Sequence, residues 1–457
     1  MRKRSLTSNK IKIVNNHVDS KLPFGELFPL GLQHVLAMYA GAVAVPLILG
    51  SALGLNAHQI TFLIAADLFT CGLATLLQSF GFGNILGVKM PVILACSFIA
   101  VSPMISIGKE YGLTTIYGSV IVAGIILALL APVFGKVIRI FSPVVTGSLI
   151  TVVGLSLTSV AFNSAAGGVG SKNFGDPRNI ALAAFTLVII LIINKYFKGF
   201  VQSIAVLIGL VIGTIVGSSM GMVNFSAVSD ASWLHIVTPF YFGAPVFKLD
   251  AIITMTIVSL ITAVEALGVF IAVGDIVGKP ATTETLVKGI KGEGIAQILG
   301  GIFNSFPYST FSQNVGLLVL SKVRTRFVCV CAGAILLTLG LIPKFAALAT
   351  TIPAPVLGGA TLVMFGMVAV TGMRILSTVD MSKSSNLLII ASSVALGMGG
   401  KIAPTAFAEL PHFLKMILEE GPIAAAITAI ILNIFFNWKE IFSSSKPMAD
   451  IQEELAS

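Results

Sequence analysis

Glu265 stands inside an apolar run that begins at Leu249 and continues past Val273. That run is long enough to cross a bilayer. A carboxyl group at such depth is costly and persists where it has a partner or a task. Two readings fit it. It is a neutral acid bonded to nearby backbone, or it binds a polar substrate and loads and releases a proton. Gln313 and Asn314 form a second polar spot, in Phe306-Pro-Tyr-Ser-Thr-Phe-Ser-Gln-Asn-Val-Gly316. A side-chain amide offers donor and acceptor together, which suits the edge of a heterocycle. The same amides could instead satisfy backbone freed by a break in a helix. Met90-Pro-Val-Ile-Leu-Ala-Cys-Ser-Phe-Ile-Ala-Val-Ser-Pro103 is similarly irregular, with prolines near its ends and Cys96-Ser97 at its middle. His34, in the first apolar segment, reads as a helix brace before it reads as a ligand. Asp67 lies deep in the second segment and acquires no role from the sequence. Asp275 falls near a segment end. Glu293, in Lys291-Gly-Glu-Gly294, reads as a loop or helix-start residue that could also gate.

These groups need elements to hold them. The chain has 457 residues, of which 56% are hydrophobic and only 10% charged. A soluble domain carries roughly a quarter of its residues as charges. The deficit fits an all-α polytopic membrane protein. Apolar segments begin near Leu27, Gln59, Gly87, Leu113, Val144, Arg178, Val201, Leu249, Gly294, Ser309, Phe327, Pro353, Ser384 and Gly421, about 14 in all. The net charge of +9 is spread over segment ends and not gathered into a patch, so nucleic acid is not the partner. With the N-terminus placed in the cytoplasm, about 21 of the 28 Lys and Arg fall on the cytoplasmic side. Both termini are then expected inside. The basic N-terminal segment lacks the apolar core of a signal peptide and reads as a retained tail. Cys71, Cys96, Cys329 and Cys331 lie in apolar segments without metal-ligand spacing, as reduced packing residues.

Pro143-Val-Val-Thr-Gly147, with Gly154, recurs as Pro355-Val-Leu-Gly-Gly359, with Gly366, at an offset of about 212 positions. About seven segments separate the copies, so the second is inverted. Inverted repeats are a mark of secondary transporters, whose site lies between the repeats near the midplane. The expected organisation is a cytoplasmic tail (1–26), a first seven-segment repeat (27–220), an extracellular connection (221–248), an inverted second repeat (249–438) and a cytoplasmic tail (439–457). Half-helix ends in the broken third and tenth segments offer free backbone groups to a polar ligand. No Walker-type Gly-Lys-Ser/Thr loop is present to bind ATP, and no His-Glu-x-x-His motif marks a hydrolase. Neither a Thr-Val-Gly-Tyr-Gly filter nor an Arg-rich voltage sensor marks a channel.

Three stretches carry a family resemblance: Leu32-Gln-His-Val-Leu-Ala-Met-Tyr-Ala-Gly41, Val264-Glu-Ala-Leu-Gly268 and Asn304-Ser-Phe-Pro-Tyr-Ser-Thr-Phe-Ser-Gln-Asn-Val-Gly-Leu317. From about Leu27 to Trp438 the chain resembles the nucleobase–ascorbate transporters, also called nucleobase:cation symporter-2, and most of all their bacterial xanthine and uric acid permeases. The resemblance implies two inverted sevens divided into core and gate domains, with short strands in segments 3 and 10. It implies proton symport with no other cofactor, a bacterial cytoplasmic membrane, and a homodimer. By the same resemblance, Glu265 holds the substrate and is tied to the proton, Gln313 makes the second side-chain contact, and backbone at Phe98 and Ser312 completes the cradle. His34, Asn314 and Ser97 are supporting residues.

Uracil carriers of the family tend to have Glu where this chain has Gln313, whereas purine carriers have Gln-Asn. Some members carry Asp or His four residues after the key Glu; this chain has Val269 there, a more apolar wall. The expectation is a proton-coupled purine importer, with xanthine first, uric acid as the alternative and uracil a more distant one.

Overall fold

The computed structural model describes residues 17–134 and 140–443. The expected tails fall largely outside these residues. Phe24–Ala52 (α1) and Ala57–Ser79 (α2) lead into a three-residue strand, Leu94–Cys96 (β1), and a half-length helix, Val101–Tyr111 (α3). Leu113–Leu130 (α4), Pro143–Ala165 (α5), Pro177–Tyr196 (α6) and Ala205–Ser219 (α7) complete the first half. The second half follows the same order. It comprises Leu249–Val277 (α8), Thr283–Ile302 (α9), the strand Tyr308–Thr310 (β2), Gln313–Ser321 (α10), and Phe327–Gly340 (α11) with Pro343–Thr350 (α12). Ala354–Leu376 (α13), Ser384–Ile402 (α14), His412–Glu419 (α15) and Gly421–Ser443 (α16) close it.

Local signals set these boundaries. Asn56 and Gln59 form a reciprocal capping box at the start of α2. Asp176 accepts from the Arg178 N–H ahead of α6, and Pro143 and Pro177 stand at helix starts where a missing N–H costs nothing. Gly278, at φ 72°, stops α8 in the left-handed conformation. Among the described residues nine helices are long and apolar enough to cross a membrane, and α11 with α12, bent by 78°, makes a tenth. The other four of the fourteen segments are the two strand-plus-half-helix units, the short α7, and α9 with its charges.

The packing repeats with the sequence order. α4 packs on α8 and α9 as α11 packs on α1 and α2, while α5 and α13 pack on each other. The helices α1–α4 and α8–α12 therefore form one bundle, the core. The helices α5–α7 with α13, α14 and α16 form the other, the gate. Aliphatic and aromatic side chains exposed on α6 and α14, such as Phe185, Leu191, Leu387 and Leu396, suit a lipid-facing surface. A hydrogen bond runs from core to gate: the Ser102 hydroxyl donates to Glu420 Oε2 at 2.7 Å. All four cysteines are free, three of them buried.

Three boundaries differ from the sequence reading. α1 starts at Phe24, and α16 continues to Ser443 across a kink at Asn437. The ninth segment starts at Thr283, not near Gly294. Its glycines looked like a loop but are contact points. A Cβ on Gly294 would lie 2.7 Å from the Ala128 backbone nitrogen, and one on Gly292 would lie 2.8 Å from the Gln78 amide. Small residues let membrane helices approach this closely.

Arg326, just ahead of α11, ties several pieces together. Its Nη1 donates to the Ser79 and Phe80 carbonyl oxygens at 2.9 and 2.7 Å, at the open end of α2, and its Nε to Asp19 at 2.6 Å. Arg326→Ala is expected to cost about 2 kcal/mol, because charged donors on orphan carbonyls are lost. A thermal unfolding scan in detergent checks this; an unchanged midpoint would mean that water serves those carbonyls as well.

Candidate functional site

The two strands pair antiparallel, with Leu94 opposite Thr310, Ala95 opposite Ser309 and Cys96 opposite Tyr308. Two further backbone bonds extend the ladder, Ser97 N–H to the Pro307 oxygen and Phe311 N–H to the Ile93 oxygen. A ribbon this short is not stable alone. Side chains secure it: Thr75 Oγ1 accepts from the Leu94 N–H, and the Cys96 thiol faces the Gly41 and Ala42 carbonyls. The chain leaves β1 through a turn at Phe98–Ala100 into α3, and leaves β2 into α10. Both half-helices thus begin at the same place, with unbonded N–H groups and the positive ends of their dipoles directed there.

A cavity partly open to solvent lies at that junction. Ser97, Phe98, Glu265, Ser312 and Gln313 all line it, with Phe311 beside them. The core supplies these groups, while among the described residues the gate contributes Ile150 of α5 and Val368 of α13. Phe98 also meets the gate ring of Phe365 edge to face, at 5.6 Å. One wall is therefore polar and the other apolar.

The polar groups are incompletely used. The buried Ser97 hydroxyl has no hydrogen-bond partner. Gln313 is exposed to the opening, its Oε1 3.3 Å from the Ser312 hydroxyl. Glu265 is half-buried and accepts one long bond, from Ser309 Oγ at 3.4 Å. His34 and Asn314 stand behind the cavity rather than in its lining. Asn314 Nδ2 donates to the His34 carbonyl at 3.1 Å and lies 3.2 Å from His34 Nδ1, an acceptor when the ring proton is on Nε2. This pair fastens the start of α10 to α1.

Two carboxyls that the sequence left without a clear role also meet β2. Glu293 is not in a loop; it is buried in mid-α9 and accepts from Thr310 Oγ1 at 2.7 Å. Its other oxygen has no partner. Asp67, fully buried on α2, accepts from Ser305 Oγ and Tyr308 Oη, each at 3.1 Å. Tyr308, Ser309 and Thr310 thus each reach a different acid. Among the described residues no Lys or Arg pairs with any of the three. No cluster of three metal-ligating side chains occurs among them either. Asp275 is exposed at the end of α8, away from this group.

A model of the permease family matches residues 25–406. The chain is 49% identical over 434 residues to a xanthine permease of Bacillus subtilis (strain 168), covering 94% of this chain and 98% of the relative. It is 50% identical over 420 residues to the uric acid permease PucJ of the same organism, covering 91% and 93%. Among solved structures, the transmembrane domain of a cyanobacterium bicarbonate transporter, BicA, matches with a TM-score of 0.57 at 16% identity, over 92% of this chain and 100% of that one. That likeness is one of fold.

Proposed function

Because the chain belongs to this permease family, that of the nucleobase–ascorbate transporters, we propose that it is a proton-coupled symporter that imports a purine nucleobase, xanthine first and uric acid as the alternative. The observation that carries this reading is the convergence of Glu265, Gln313 and the unpartnered Ser97 hydroxyl on one cavity between two half-helices. A planar purine lies against Phe98 and Phe311. Glu265 accepts its ring N–H bonds, and the Gln313 amide meets the opposite edge with one donor and one acceptor. Backbone N–H groups at Phe98 and Ser312, at the half-helix ends, face the exocyclic oxygens.

Proton coupling follows from the gate wall. A core carrying a bare carboxylate cannot slide cheaply past Ile150, Val368 and Phe365, with no cation nearby to offset the charge. A proton and a neutral substrate together remove that penalty, so the loaded core moves. The proton on Glu265 is the coupling ion, and no other cofactor is required. The reading extends to a bacterial cytoplasmic membrane with both termini inside, 27–220 and 249–438 as the two repeats, 221–248 as the extracellular connection, and a homodimer.

Labelled xanthine and uric acid uptake in cells without purine carriers of their own tests this. Saturable uptake, abolished by a protonophore and competed by unlabelled purines but not by uracil, is the expected result. A correctly inserted protein that takes up neither purine would remove the substrate assignment. Uptake indifferent to a protonophore would remove the coupling.

A further inference from the structure

Asp67 does not line the cavity, yet it lies against both strands that build it. Its Oδ1 takes hydrogen bonds from Ser305 and Tyr308, and its Oδ2 lies 3.7 Å from the Cys71 thiol, one turn along α2. Cys96 and Tyr308 are cross-strand partners, so Asp67 closes one end of the ladder from behind. The Ser305 and Tyr308 hydroxyls are themselves 2.6 Å apart, so the pair shares its two protons over the contacts to Asp67 and to each other. Every partner is neutral. The carboxyl is thus a double acceptor in a fixed place on a long helix.

We infer that Asp67 is a positioning residue for transport: through Tyr308 and Ser305 it fixes β2 along its own axis, and so sets where Ser309 meets Glu265 and Thr310 meets Glu293. Three paired residues cannot fix register by backbone bonds alone. Successive side chains of a strand point to opposite faces, so a small rotation of Tyr308 displaces Ser309 and Thr310 in opposite directions. Both of those bonds end on acids, and the Glu265 bond is already long at 3.4 Å. A shift of a few tenths of an ångström at Tyr308 would break it. Asp67 acts at a distance from the ligand, so its loss should weaken substrate binding more than it slows the loaded step.

This inference rests on the purine-transport reading, and the test separates the two. Xanthine uptake is measured against concentration and pH for wild type, Asp67→Leu, Asp67→Asn and Tyr308→Phe at matched membrane abundance. Asp67→Leu should raise KM about ten-fold with little change in maximal rate, because an acceptor for two hydroxyls is gone. Asp67→Asn keeps one acceptor oxygen and should recover most of that loss with an unaltered pH profile. Tyr308→Phe should raise KM about three-fold. A wild-type KM in Asp67→Leu overturns the inference, as does an Asp67→Asn defect equal to Asp67→Leu, which would assign the residue to proton movement. Where Asp67→Leu fails to reach the membrane, Tyr308→Phe decides: a raised KM supports the inference and an unchanged one overturns it. If wild type itself takes up no purine, the function falls rather than this role.

Discussion

Glu265→Gln is expected to abolish net accumulation of xanthine, by about 100-fold or more, in protein that still reaches the membrane. The change keeps the shape of the side chain and an oxygen to accept from Ser309, so the ladder and the helix should stand. What goes is the carboxylate that takes the ring N–H donors as substrate binds, and with it the site that then takes up the proton. Removing one partner of a desolvated charged hydrogen bond costs about 2–5 kcal/mol, and each 1.4 kcal/mol is ten-fold in affinity. Two assays divide the roles. If Glu265 only carries the proton, the variant still exchanges internal for external xanthine and loses only uphill accumulation. If it also binds substrate, exchange is lost as well, and the second outcome is the one expected. Wild-type uptake should fall as external pH rises, because the co-substrate becomes scarce; residual Glu265→Gln uptake should not. Accumulation by Glu265→Gln within a few-fold of wild type would sink both roles together.

The span pattern was legible because it depends on local apolar runs and on the distribution of Lys and Arg. The breaks at segments 3 and 10 were legible too, since proline and small polar residues crowd both. No periodicity marks the strands inside them, because three residues are too few to show one; those strands came with the family resemblance. Glu265 announced itself by being alone in an apolar run. Glu293 did not. Its flanking glycines mimic a loop, and only the approach of α2 and α4 to Gly292 and Gly294 reveals them as helix contacts. Asp67 was visible as an acid but not as an anchor, because its partners Ser305 and Tyr308 lie 238 and 241 residues away. No local signal joins groups so far apart. The Ser97 hydroxyl is a further case: a serine in a broken segment is ordinary until its neighbours leave it unpartnered.

The repeated glycines give the other large effect, and they divide the two copies of the repeat. Gly154 of α5 and Gly366 of α13 hold matching positions in sequence, yet Gly154→Val should prevent folding and Gly366→Val should be close to neutral. A Cβ on Gly154 would lie 2.3 Å from the Ala369 backbone nitrogen, whereas one on Gly366 meets nothing within 4 Å. The contact is reciprocal along the crossing: a Cβ on Gly372 would come 2.3 Å from the Thr151 nitrogen, and one on Gly358 would come 2.2 Å from the Ala165 nitrogen. Backbone cannot rotate aside as a side chain does, so the helices must part. Overpacking costs about 1–3 kcal/mol where side chains can yield, and more is expected where they cannot. In lipid no hydrophobic drive compensates, because close packing itself holds such helices together. Size-exclusion profiles and thermal midpoints of the two variants in detergent provide the comparison. A monodisperse Gly154→Val with a wild-type midpoint, or a Gly366→Val that aggregates, would refute the assignment. The consequence reaches the site, because Ile150 lies one turn before Gly154 and Val368 is next to Ala369. The crossing that excludes a Cβ is the one that holds both apolar gate residues against the cavity. A milder Gly154→Ala that folds should therefore still reduce uptake, through a gate wall moved away from the substrate.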